Sequence, residues 1–179
     1  MSTILLGNKP STTFLKKVVP GKTNKGFSII EIMIVIAIIV IGLINLLGVA
    51  AFSLKISTII KQTSQADSLA KETIEAVRTF RDGSDWDDDG LGILNTGSSN
   101  PYYPELDAGP AWKLTSGAET IGNFTRKVVF EKVSRDGSGN IEAVYSAANN
   151  DPDTRKITAT VSWSGRKVEI ITYLTNWKK

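Results

Sequence analysis

Neither cysteine nor histidine occurs among the 179 residues. Their absence excludes structural disulfides, thiolate nucleophiles, histidine bases and the common zinc sites. Only hard, all-oxygen metal sites remain open to the chain. No serine elbow or phosphate-cradling glycine loop accompanies the acidic residues, so no constellation supports an enzyme. A marked excess of one charge sign is also missing from most of the chain, despite a formal net charge of +3. Lys9, Lys16, Lys17, Lys22 and Lys25 crowd residues 1–26, which hold no acid. Without those five, 16 basic residues face 18 acidic ones, a balance that argues against direct nucleic-acid binding.

What is abundant is apolar sequence in one place. Residues 1–26 are lysine- and turn-rich and read as a processing or targeting segment; a cytoplasmic tail that is never removed is the plainer alternative. From Ile32 to Leu54 no residue is charged, and only Asn45 and Ser53 are polar. These 23 positions suffice for a helix crossing a hydrocarbon core of roughly 30 Å. Lysines on the N-terminal flank place the N-terminus in the cytoplasm, and the rest outside it, by the positive-inside bias.

Helical period continues beyond the apolar run. Ile59, Ile60, Thr63, Ala66, Ala70, Ile74, Val77 and Phe80 form one stripe, with Glu72, Glu75 and Thr79 facing away. A helix from Phe27 to Arg81, stopped at Asp82-Gly83, would be about 80 Å long. Its halves divide at 27–54, for the membrane, and 55–82, amphipathic. Residues 83–122 are rich in turn-formers and read as an irregular connection. Their large apolar groups, Trp86, Leu91, Tyr102 and Trp112 among them, predict a loop folded over the body. Residues 123–179 read as antiparallel sheet: Phe124–Val133, Ile141–Ser146, Arg155–Trp163 and Lys167–Asn176. A polar turn at 149–153 precedes the third strand. The expected fold is α+β, a long N-terminal helix covering one face of a four-stranded antiparallel sheet.

The segment Lys25-Gly26-Phe27-Ser28-Ile29-Ile30-Glu31, directly before the apolar run, resembles the prepilin cleavage and methylation motif. Type IV pilins, type II secretion pseudopilins and related competence proteins share it. The resemblance implies a leader peptide at 1–26, cleaved by a membrane aspartyl peptidase between Gly26 and Phe27. It further implies N-methylation of Phe27 and an assembly role for Glu31. Physical chemistry gives that acid a use: a carboxylate entering lipid is expensive, and the new Phe27 amine, of its own or a neighbouring chain, would offset it. A glutamate that merely reaches the headgroups is the plainer reading.

Two departures matter. Many major pilins carry proline where this chain has Gly48, and many close a C-terminal loop with a disulfide, which this chain lacks. The stretch Ala70–Asp82 is similar to minor pilins of the PilV-like kind. Gly42 and Gly48 would permit close helix contact or local loosening, or are ordinary membrane-helix glycines.

Asp85, Asp87 and Asp89 stand at positions 1, 3 and 5 of a loop with Gly90 at 6, as in the opening of a calcium-binding loop. Leu91 would add a carbonyl, but Thr96 replaces the closing glutamate. Ca2+ binding and a solvated acidic turn both remain open. Trp86, Tyr102, Tyr103, Trp112 and Trp177 either pack against the core or form a ligand surface.

The expectation is therefore a structural subunit, of the minor-pilin kind, in a type IV pilus-like filament. A type II secretion pseudopilin is one alternative; an uncleaved, single-pass anchored extracytoplasmic binding module is another. By resemblance the partners are other pilins or pseudopilins, the prepilin peptidase, and an inner-membrane assembly platform with a cytoplasmic ATPase. Membrane lipid surrounds the helix before assembly. Adhesion, motility, DNA uptake and protein secretion are all open as the filament's use.

Overall fold

A computed structural model describes residues 26–106, 109 and 111–178. The leader expected at 1–26 therefore lies, except for Gly26, outside the described residues. The chain divides between Val49 and Ala50 into two units.

One helix, α1, runs 55 residues from Ile29 to Gly83. Both ends fall within two residues of the expected positions. The first unit contains most of its apolar part, and every described residue of that unit is exposed. This part is long and apolar enough to cross a membrane as a single span.

In the second unit, α1 packs against an antiparallel sheet. The strands are β1 (Tyr102–Leu106), β2 (Trp112–Ser116), β3 (Glu119–Ile121), β4 (Phe124–Ser134), β5 (Asn150–Trp163) and β6 (Arg166–Thr175). Their order is β2-β1-β4-β5-β6, with β3 also paired to β4. The helix stripe holds where it meets this sheet: Ala66, Ala70, Ile74 and Val77 are buried, with Thr73 and Ala76 beside them. Ile60 and Thr63, nearer the apolar half, are exposed.

Strand alternation fixes the inner face of the sheet. Val128 and Phe130 from β4, and Ile157, Ala159, Val161 and Trp163 from β5, are all buried. Phe130 meets the edge of Tyr102 with ring centroids 5.7 Å apart. Phe124 tilts against Trp163 at the same separation. Ala66 and Ala70 join the Trp163 cluster, where small helix residues leave room for the indole. The turn from β5 to β6 has positive φ at both central residues, Ser164 at 43° and Gly165 at 74°. That is the sign pattern of a tight hairpin turn matched to sheet twist.

Three expectations need correction. The sheet has six strands instead of four, because β1, β2 and β3 all lie in the region read as irregular. Each is only three to five residues long, and turn-formers separate them, so no run was long enough to signal a strand. Second, Ile141–Ser146 is not a strand; only Ile141 forms an isolated bridge, to Arg135. β5 pairs with β4 from Thr125 to Ser134, so that edge is already taken. The preceding turn is held by the Asp136 carboxylate, which accepts from the amides of Ser138 (2.9 Å) and Asn140 (2.8 Å). Third, the polar turn at 149–153 is instead a short 3-10 turn, Ala147–Asn149, leading directly into β5 at Asn150.

Candidate processing and membrane-anchoring site

Gly26, Phe27 and Ser28 precede the helix without regular structure. The Ser28 carbonyl accepts from the amides of Glu31 (3.0 Å) and Ile32 (3.2 Å), which starts α1. Glu31 thus lies in the first turn, where free amides favour a negative charge. It is exposed, and among the described residues no basic side chain pairs with it. Phe27 is 78% exposed. A Cβ added to Gly26 would meet nothing within 4 Å, and its φ is not in the left-handed region. Among the described residues, nothing in the packing requires glycine at position 26.

The acidic loop is held by hydrogen bonds of its own. Among the described residues, no group of three or more acidic side chains is placed to share a metal ion. The Asp85 carboxylate accepts from the Asp87 amide (3.1 Å), and the Asp89 carboxylate accepts from the Asp85 amide (2.7 Å). The glycine also has a local reason: a Cβ on Gly90 would lie 2.3 Å from the Asp85 carbonyl oxygen. At Gly92 a Cβ would lie 2.4 Å from the Trp86 carbonyl oxygen. The loop wraps tightly around Trp86, whose indole N–H donates to the Pro152 carbonyl at 3.2 Å. Leu91 is fully buried beside it in the core.

Trp86 and Tyr102 are core residues, while Tyr103 and Trp112 are half-buried. Trp177 remains 61% exposed, and its indole donates to the Asp82 carboxylate at 3.0 Å. Lys178 donates to the Ser84 carbonyl at 3.0 Å, placing a cation beside the C-terminus of α1. The hydrogen bond from Arg81 holds the Asp82 carboxyl below its ordinary value; burial opposes it, and the hydrogen bond from Trp177 adds to the lowering.

Two buried arginines organise this unit, and sequence reasoning passed over both. Arg126, 5% exposed, pairs with Glu119 of β3 and Glu72 of α1, and donates to the Pro104 carbonyl of β1. Arg155, 6% exposed, donates to the Gly92 and Pro152 carbonyls and lies over the Trp86 ring at 5.7 Å. Burial lowers its pKa, opposed by the charges of Asp151, Asp153 and Asp87. A signal existed for each. Arg126 shares strand parity with Val128 and Phe130, and Arg155 with Ile157 and Ala159. An arginine in such a series must either be buried with partners or end the face.

A family profile described as "Prokaryotic N-terminal methylation motif" matches residues 21–44, spanning Gly26, Phe27, Glu31 and the first part of the apolar run. No curated protein and no solved structure matches the chain. The chain thus combines a prokaryotic N-terminal methylation motif with a long N-terminal helix and an antiparallel sheet, the general α+β architecture of pilins.

Proposed function

We propose that this chain is a subunit, of the minor-pilin kind, of a type IV pilus-like filament. The observation that carries the reading is the coincidence of the methylation-motif match with an exposed, non-helical Gly26-Phe27 junction immediately before a membrane-length helix. A peptidase needs an accessible peptide bond outside the helix, and Gly26 and Phe27 are both exposed and precede it. Glycine at 26, unexplained by the chain's own packing, suits recognition by another protein. Water added across the Gly26–Phe27 amide leaves a carboxylate on Gly26 and an amine on Phe27. The amine then takes a methyl group from a methyl donor supplied by the processing machinery, releasing the demethylated donor and a proton.

The Glu31 carboxylate, four residues on from that amine in sequence and unpaired among the described residues, is the group to meet it. Within one chain the two stand on either side of the helix start; between chains, the carboxylate of one meets the amine of its neighbour. Either arrangement removes the cost of an isolated charge in lipid. Before assembly the helix rests in the inner membrane with the sheet domain outside the cytoplasm. Other pilins or pseudopilins, the prepilin peptidase and an ATPase-driven platform are the partners this requires.

The test compares Gly26→Val and Glu31→Gln with the native chain in the host. Gly26→Val is expected to leave the leader attached. Glu31→Gln is expected to permit cleavage but reduce recovery of the chain in sheared filaments at least tenfold. Normal cleavage of Gly26→Val, or full filament recovery of Glu31→Gln, contradicts the assignment of these residues.

A further inference from the structure

Three residues of the apolar run fit poorly with lipid alone, and they share one face. At about 100° per residue, Gly42 and Gly48 flank Asn45 within 60° on either side. Neither glycine has a local reason to be glycine. A Cβ at either position would meet nothing within 4 Å, and neither has a left-handed φ. Each nevertheless weakens the helix relative to alanine.

Asn45 has a complementary problem. Its amide carries two N–H donors and a carbonyl acceptor. Along the same helix, the hydroxyls of Thr58, Thr63, Ser68 and Thr73 fold back onto carbonyls four residues earlier. Among the described residues, no hydrogen bond joins the Asn45 side chain. The run from Ile32 to Leu54 puts Asn45 about 20 Å from one end and about 14 Å from the other at the helical rise. Its side chain is too short to reach water from that depth. Ser53, the other polar residue of the run, is two turns away.

We propose that Asn45 is the centre of a parallel helix–helix contact between two copies of this chain in the membrane, with Gly42 and Gly48 admitting the close approach. The choice of a second copy follows from depth. Two chains inserted with the same orientation carry residue 45 at the same level, so amide meets amide without any register adjustment. Each amide then donates to and accepts from the other, satisfying groups that lipid leaves unpaired. Removing the Cβ at positions 42 and 48 lets the backbones approach, as small residues do at membrane helix contacts. The contact belongs to chains still in the membrane. It rests on the membrane-helix part of the proposed function and is independent of filament assembly.

The lack of native cysteine makes a direct test clean. Full-length protein, purified and reconstituted in phosphatidylcholine vesicles, carries one probe at a time. Val49→Cys lies about 40° from Asn45, whereas Leu47→Cys lies about 160° away. Vesicle flotation first establishes insertion; a chain that does not float overturns the membrane reading itself. For floating protein, oxidation is expected to link Val49→Cys chains as dimers and to leave Leu47→Cys chains monomeric. Adding Asn45→Leu to Val49→Cys, a change favourable to helix and insertion, is expected to lower the association constant roughly three- to thirty-fold. Asn45→Gln should retain much of it. Equal linking at both probes, no linking at Val49→Cys, or linking unaffected by Asn45→Leu overturns the inference.

Discussion

Replacing Arg126 with alanine should destabilise the sheet domain by about 3 kcal/mol, the scale of breaking a buried ion pair. The structure shows how that figure arises. Arg126 joins three elements: Glu72 from α1 at 2.9 Å, Glu119 from β3, and the Pro104 carbonyl from β1 at 3.2 Å. Pro104 is fully buried, so its carbonyl would lose a donor without access to water, at about 1–3 kcal/mol. The two carboxylates are less demanding. The Glu72 side chain is 50% exposed and Glu119 33%, so both rehydrate readily.

Arg126→Met, which keeps the aliphatic volume, should therefore recover part of the loss, leaving about 1–2 kcal/mol from the orphaned carbonyl. A double-mutant cycle separates the pairs. Coupling to Glu119 should exceed coupling to Glu72, and the latter should be under about 1 kcal/mol. Urea unfolding of detergent-solubilised protein, followed by tryptophan fluorescence, reads these changes because Trp86 and Trp163 are each only 5% exposed. Arg126→Ala within about 0.5 kcal/mol of the native chain would refute the reasoning, as would stronger coupling to Glu72 than to Glu119.

Gly90→Ala should cost about 2 kcal/mol or more, because its Cβ would sit 2.3 Å from the Asp85 carbonyl oxygen and 2.9 Å from the Trp86 Cα. Gly137→Ala, with nothing within 4 Å, should stay within about 0.5 kcal/mol by the same urea titration. Ala70→Leu should cost about 1–3 kcal/mol by overfilling the contact with Trp163, a loss that Trp163→Leu in the same chain should partly restore. The carboxyls of Asp82, Asp136 and Asp151 are each held below their ordinary value of 3.8. At Asp151, burial pushes upward, and hydrogen bonds from Thr154 and Arg135 outweigh it. A depressed carboxyl stabilises the fold above its unfolded pKa, so thermal stability should hold to about pH 5 and fall as pH drops below 3.8. Asp151→Asn should reduce that acid-dependent fall in a melting-temperature series, and a stability that rises on acidification would reverse the sign.

The parts of the fold legible in the sequence were those with long, regular patterns. An uncharged run from Ile32 to Leu54 and a stripe through Ala66, Ala70, Ile74 and Val77 located both halves of α1. The clean alternation of Ile157, Ala159, Val161 and Trp163 fixed the inner face of β5. Short strands carried too little pattern. β3 is three residues, and β1 includes Pro104, which normally argues against a strand. Ile141–Ser146 failed for the opposite reason: its residues suit a strand, but β5 had already occupied the available edge of β4. At positions 85–90 the acids and glycine fit the opening of a calcium loop, and the structure adds a local use for them that the sequence did not reveal: Asp85 and Asp89 accept from backbone amides, and Gly90 allows a close chain approach. The N-terminal methylation motif was legible because it depends on local order of residues rather than on long-range packing.

The most direct measurement is intact mass and N-terminal sequence of the chain recovered from native membranes. The account predicts a chain beginning at N-methylated Phe27, with residues 1–26 removed. A chain still carrying residues 1–26 in cells with an active prepilin peptidase would contradict it, and would favour a permanently anchored extracytoplasmic module instead.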